Sequence, residues 1–230
     1  MEERDDNFYF EKFSNLNLFR ELDDITNKKS ATNQFVEIRH IWFMDNPEDE
    51  RAKTDSFWRI RKQWYKNHPE DEDAVTDKDY DIRTQWFYNH PEDDRAKYDS
   101  CEDIRYQWYY DHPRDKDAGK DTSSLIRQLW FIRNPKDSRA ATDPDEYIRR
   151  IWFYRRPNDN VAALDECRKI RFRYFETHPD DKRAATDPSS KIRSMWYKHN
   201  PWDESGKDDP DLEVRETYRR AAKEYSIKNS

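Results

Sequence analysis

The sequence predicts an all-α fold, an α-solenoid of about eight to nine 22-residue repeats, each one longer helix plus one short α or 3-10 helix. Three observations carry this. An Ile-Arg pair recurs at Ile38, Ile60, Ile82, Ile104, Ile126, Ile148, Ile170 and Ile192, and Val214-Arg215 closes the series without a slip in the 22-residue interval. A fixed period of this length marks an array of stacked units rather than a single core. Each unit also holds two helix starts and no period-two alternation, and two glycines cannot supply the corners of a β-solenoid. Finally, the chain is only 33 % hydrophobic and 40 % charged, yet it holds 9 Trp, 14 Tyr and 12 Phe. Such side chains bury enough area to offset the ordering entropy that would otherwise favour disorder.

The elements follow from one repeat, counted from its Ile as position zero. Residues 1–36 read as an N-terminal segment with a degenerate capping repeat, in which Leu16 keeps the phase while Trp and Pro are lost. Tandem repeats occupy 37–213. In each, Asp at +17 reads as the N-cap of the longer helix, with Pro144, Pro188 and Pro210 suited to its first turn. That helix carries Arg at +1, an aromatic at +4 (Trp42 through Tyr218) and a second aromatic at +5 (Phe43 through Tyr197). Positions 0, +3 and +4 are expected on its core face, as Ile104, Gln107 and Trp108 or as Ile148, Ile151 and Trp152. Pro at +9 ends it. Asn or His at +8 and acids such as those of Pro91 to Ala96 then open the second helix, whose small +14 residue, Ala52 through Gly206, makes it a thin spacer. Residues 214–230 read as a C-terminal capping helix and tail, with fraying expected over 1–7 and 226–230.

At Asp-Pro-x-x-x-Ile/Val-Arg, as in Asp143 to Arg149, Asp187 to Arg193 and Asp209 to Arg215, the chain resembles HEAT-type repeats. The Asn-Pro of Asn46-Pro47, Asn134-Pro135 and Asn200-Pro201 is similar to the leucine-rich repeat variant family, which alternates α and 3-10 helices. The resemblance covers about residues 37–218. It implies an Asp-Arg hydrogen-bonded ladder between successive repeats, and macromolecular binding without naming a partner. HEAT units are nearly twice as long, and neither family requires the Trp-aromatic pair.

Charge is unevenly spread: net −3 over 1–36, −8 over 37–125, +4 over 126–191 and zero over 192–230. The acidic start Met1-Glu-Glu-Arg-Asp-Asp has no apolar run behind it, so neither signal peptide nor membrane span is expected and a cytoplasmic location follows. Cys101 and Cys167 stand at the same position three repeats apart, about 30 Å at one helical layer per repeat. That is too far for a disulfide.

Residues present in every repeat read as structure, because a ligand seldom meets nine layers alike. Arg at +1 and Asp at +17 form an internal ladder, and Trp at +4 is core. His68, His90, His112 and His178 share the +8 slot, where capping outweighs metal binding because ligands one layer apart cannot share an ion. No phosphate loop, His-Glu-x-x-His, Gly-x-Ser-x-Gly or Cys-x-x-Cys is present. No catalytic residue, cofactor or metal ligand is expected.

Function is therefore sought at +2 and +6, away from the core stripe, where identity changes from repeat to repeat. The leading expectation is a non-catalytic scaffold that binds a protein or peptide through Tyr88, Tyr106, Tyr110, Ile132, Arg150, Tyr154 and Phe172. Exposed Tyr and Arg dominate such interfaces; the competing reading tucks these aromatics against neighbouring layers. A second expectation is nucleic-acid or phosphate binding through the basic patch of residues 126–191, using Arg149, Arg155, Arg156, Arg168, Arg171 and Arg173 with interleaved rings. The third is self-association of acidic and basic halves.

Overall fold

The computed structural model describes residues 28–228, in which nine α-helices alternate with nine 3-10 helices at the 22-residue period, with no strand among the described residues. The chain is an all-α helical-repeat fold of the solenoid type. Its long helices are α1 (Val36–Asp45), α2 (Trp58–Asn67), α3 (Tyr80–Asn89), α4 (Glu102–Asp111), α5 (Ser124–Arg133), α6 (Glu146–Tyr154), α7 (Arg168–Thr177), α8 (Ser190–His199) and α9 (Leu212–Lys228). Each is preceded by a five-residue 3-10 helix, as Glu50–Thr54 precedes α2 and Lys182–Thr186 precedes α8. Two compact units are distinguished, residues 1–108 and 109–230. In the first, α2 packs on α3 and each on the 3-10 helix before it; in the second, α5 through α9 pack consecutively in the same way. The expected N-terminal cap falls mostly on residues 1–27, outside the described residues.

The buried arc differs from the expected one. Positions 0, +4 and +5 are buried, with Phe87 at +5 half-buried, while Gln107 at +3 is exposed and Ile151 only half-buried. At about 100° per residue, 0, +4, +1 and +5 span one arc of about 140°, and +3 lies outside it. A helix packed between two neighbours buries this wider arc. Arg at +1 lies inside it, which is why Arg61, Arg127 and Arg149 are buried. Ala at +14 completes each layer: Ala52, Ala74 and Ala96 in the first unit, Ala118, Ala140, Ala162 and Ala184 in the second.

Within each unit the Arg at +1 ties one repeat to the next. Arg61 Nε and Nη2 donate to both carboxylate oxygens of Asp77 at 2.7 and 2.9 Å, and its Nη1 donates back to the Asp55 carbonyl at 2.8 Å. The same fork joins Arg39 to Asp55, Arg83 to Asp99, Arg127 to Asp143, Arg149 to Asp165, Arg171 to Asp187 and Arg193 to Asp209. The expected ladder is present. A bidentate pair satisfies the buried guanidinium in a way that a lone contact would not.

That ladder displaces the expected helix cap. Asp at +17 ends the 3-10 helix and accepts the amide two residues on, as Asp77 does from Asp79 N at 2.8 Å. The N-cap is therefore +19: Asp79, Ser123 and Asp145 accept from their helices' first turns. Pro144, Pro188 and Pro210 precede the helix rather than occupying its first position.

At the other end, the +8 residue has φ near −123° and ψ near 69° at His68 and closes the helix with its side chain. Asn46 Nδ2 donates to the Trp42 carbonyl at 3.0 Å, and His68 Nδ1 does the same to Trp64 at 3.0 Å. A carbonyl only accepts, so the proton sits on Nδ1. Asn and His are interchangeable here because both place an N–H at that distance.

The helix α9 lacks the Pro, continues through Lys228, and buries Val214 and Tyr218. Residues 226–228 are helical, where fraying was expected. Cys101 and Cys167 are free thiols. No helix among the described residues is long and apolar enough to cross a membrane.

Candidate partner-binding face

The +4 aromatic, which the sequence marks as core, also makes a polar contact. Trp42, Trp64, Trp86, Trp130 and Trp196 each donate their indole N–H to the Asp at +11, at 2.8 to 2.9 Å. Tyr174 replaces Trp and its hydroxyl reaches Asp181 at 3.1 Å. The other oxygen of the same Asp accepts the +13 amide and so caps the 3-10 helix, as in Asp93 to Arg95 N. One carboxylate thus fixes the long helix to the short one.

In alternate repeats a cation also joins this carboxylate. Arg51, Arg95, Arg139 and Arg183, spaced by 44 residues, fork onto Asp49, Asp93, Asp137 and Asp181. Their hydrogen bonds hold those four carboxyls down to about 2, against the opposing effect of burial and with help from the +4 aromatic and the backbone amide. The 44-residue alternation is legible in the sequence once +13 is tabulated. Every invariant polar residue is consequently engaged in holding the repeat together.

The +6 slot is exposed in all eight repeats, and it holds Met44, Lys66, Tyr88, Tyr110, Ile132, Tyr154, Glu176 and Lys198. Tyr88 is 81 % exposed and Tyr154 75 %. The +2 slot divides: Tyr106 and Arg150 are exposed, while Phe172 is half-buried and tucks toward its neighbours. By compact unit, Tyr88 and Tyr106 belong to the first, and Tyr110, Ile132, Arg150, Tyr154 and Phe172 to the second. Tyr110 lies under Arg133, whose guanidinium carbon is 5.0 Å from the ring centroid while its Nη1 donates to the Tyr110 carbonyl at 3.2 Å.

Of the six arginines expected in the basic patch, four have partners within the chain. Arg149 bridges Asp165 and Glu166, and Arg171 is held by Asp187. Arg156 lies 3.4 Å over the Trp152 ring and donates to the Pro135 carbonyl at 2.6 Å. Arg173 pairs with Glu176 at 2.7 Å. Arg155 and Arg168 remain as exposed cations. The frame consumes three of the six because its slots, +1 and +8, are the ones that need a donor.

A cavity that the sequence reading missed opens between α6 and α7. It has a volume of about 230 Å³, with Phe153, Ile170 and Tyr174 at its floor and Arg150, Tyr154, Lys169 and Arg173 around it. The corresponding space between α5 and α6 holds only about 10 Å³, lined by Ile151 and Arg156. Position −1 holds Lys169 here, but it also holds Arg59 and Lys191 elsewhere, so the sequence alone does not single out this layer. Among the described residues, no cluster of His, Cys, Asp and Glu assembles as a metal-ligand set. A scan against protein-family models, a search of curated proteins and a search of solved structures each find no match to this chain.

Proposed function

We propose that the chain is a non-catalytic repeat scaffold that binds a protein or peptide through the side chains at +2 and +6 of its long helices. The observation that supports this is the division of labour within each repeat. Invariant residues are spent on the ladder and the Trp-Asp contact, while +6 is exposed in every repeat and free to vary. A surface whose residues change on a constant frame is how repeat proteins encode recognition. Tyr and Arg at these slots supply rigid contact area and directional donors. The nucleic-acid reading draws less support, because most of its cations are already paired. Free thiols fit the cytoplasmic setting that accompanies this proposal.

Replacing Tyr110, Arg150 and Tyr154 together by Ala tests the scaffold reading, since none of the three belongs to the ladder. The triple variant should keep the far-ultraviolet circular dichroism of the parent and lose at least tenfold in capture of the proteins that the parent retains from its native lysate. Equal capture by parent and variant would overturn the reading.

A further inference from the structure

The α6–α7 cavity differs from a general exposed face in three ways. It has a buried apolar floor of Phe153, Ile170 and Tyr174. At about 230 Å³ it lies below the roughly 300–1,000 Å³ of small-molecule sites, so it suits one side chain rather than a whole metabolite. Two of its cations, Arg150 and Lys169, are exposed and make no hydrogen bond or ion pair among the described residues, in contrast to the paired Arg at +1. Their unpaired state leaves them available to a carboxylate that the chain itself does not supply.

The space is open for a local reason. At +3, α6 carries Ile151, which lines the closed α5–α6 layer, whereas α7 carries Arg173, drawn aside to Glu176 at 2.7 Å. An apolar +3 side chain is missing where the partner's would enter.

Resting on the scaffold reading above, we propose that this cavity takes a single aromatic or branched aliphatic side chain of an acidic linear peptide, with the flanking carboxylates of that peptide meeting Arg150 and Lys169. Apolar burial in the floor supplies affinity, and charge complementarity at the rim supplies selection and a faster encounter. A polyphosphate strand is less well matched, because it carries no apolar side chain to fill the buried floor of Phe153, Ile170 and Tyr174.

The probe is a fluorescein-labelled nine-residue peptide of alternating Asp and Glu with one central Phe, titrated into the full chain and read by anisotropy. It should bind, weaken with added salt, and lose at least tenfold in affinity when its Phe is replaced by Ala. The Arg150→Glu, Lys169→Glu double variant should lose at least tenfold while Tyr88→Ala, in the other unit, binds as the parent does. Arg173→Ile, which restores the apolar +3 residue of α6, should also abolish binding; since it leaves Arg150 and Lys169 in place, it guards against a folding artefact of the double charge reversal. Equal binding by the reversed and parent chains overturns the proposal, as does tighter binding of a twelve-residue oligothymidylate that displaces the peptide. Absence of peptide binding, with lysate capture still lost in the Tyr110, Arg150 and Tyr154 variant, overturns this inference alone and leaves the scaffold reading standing.

Discussion

The carboxylate at +11 accepts the indole N–H of the long helix and a backbone amide of the short one, and in alternate repeats a guanidinium too. Replacing Trp86 by Phe or by Tyr separates its packing from its hydrogen bond, since both lose indole area but Tyr retains a donor, as Tyr174 does toward Asp181 at 3.1 Å. Trp86→Phe should therefore cost about 0.5–1.5 kcal/mol more than Trp86→Tyr by urea denaturation, and equal losses would leave the indole N–H without a role. The same carboxylates set the acid limit. Asp49, Asp93, Asp137 and Asp181 sit at about 2 in the folded chain, below the roughly 3.9 of an unfolded Asp. A depressed carboxyl stabilises above its unfolded value and stops doing so as pH falls through its folded one, so stability should drop between about pH 4 and pH 2. Arg95→Ala should flatten that drop in a thermal melt series; an unchanged slope would contradict it. Residue identity at these slots was legible from recurrence, but the pairing of Trp with Asp was not. A ring at +4 and a carboxylate at +11 come together only after the chain reverses at Pro.

Element boundaries depend on which neighbour a side chain serves. Asp at +17 has the composition of an N-cap, and within an isolated helix that would be its best use. The stacked repeat offers it a guanidinium instead, through a bidentate pair such as Arg61 to Asp77, and the helix start moves two residues on. Core width was misjudged for a related reason. A helix facing one neighbour buries a narrow stripe, whereas a helix between two layers buries an arc that reaches +5. At the last 3-10 helix, Glu204–Asp208, Gly206 takes the +14 slot that Ala fills elsewhere. A Cβ at this point would lie 2.7 Å from Tyr218 ring atoms and 2.9 Å from Tyr197. Both rings are buried and cannot withdraw as a flexible side chain would. Gly206→Ala should therefore destabilise by about 1–3 kcal/mol, outweighing the gain of up to about 1 kcal/mol that Ala brings to a helix. A raised thermal midpoint would show that Tyr218 has room to yield.

For the molecule as a whole, the 22-residue period makes fold and length separable, because within each unit successive repeats are tied by the same ladder and the same layer of Ile, aromatic and Ala. The period was fully legible from the Ile-Arg pairs. The open α6–α7 cavity was not, because it arises from the size of the +3 side chain relative to two layers at once, a relation no single repeat displays. Removing one whole period tests whether the frame is as modular as its contacts imply. Deletion of residues 61–82 joins Ile60 to Arg83, so position zero is still followed by +1. Arg83 keeps Asp99 as its forward partner at 2.8 Å, and the Asp55 carbonyl, which Arg61 uses at 2.8 Å, replaces the lost acceptor at Asp77. Trp86 keeps Asp93 at 2.8 Å. The shortened chain should unfold cooperatively with unchanged helicity per residue and a smaller urea m-value, in proportion to the surface no longer exposed. Deleting only residues 61–71 removes the +1 Arg and the +4 Trp yet retains Asp77, leaving a carboxylate that the guanidinium no longer meets. That chain should lose its sharp transition, and equal cooperativity in the two deletions would mean that the frame does not depend on the phase of its repeat.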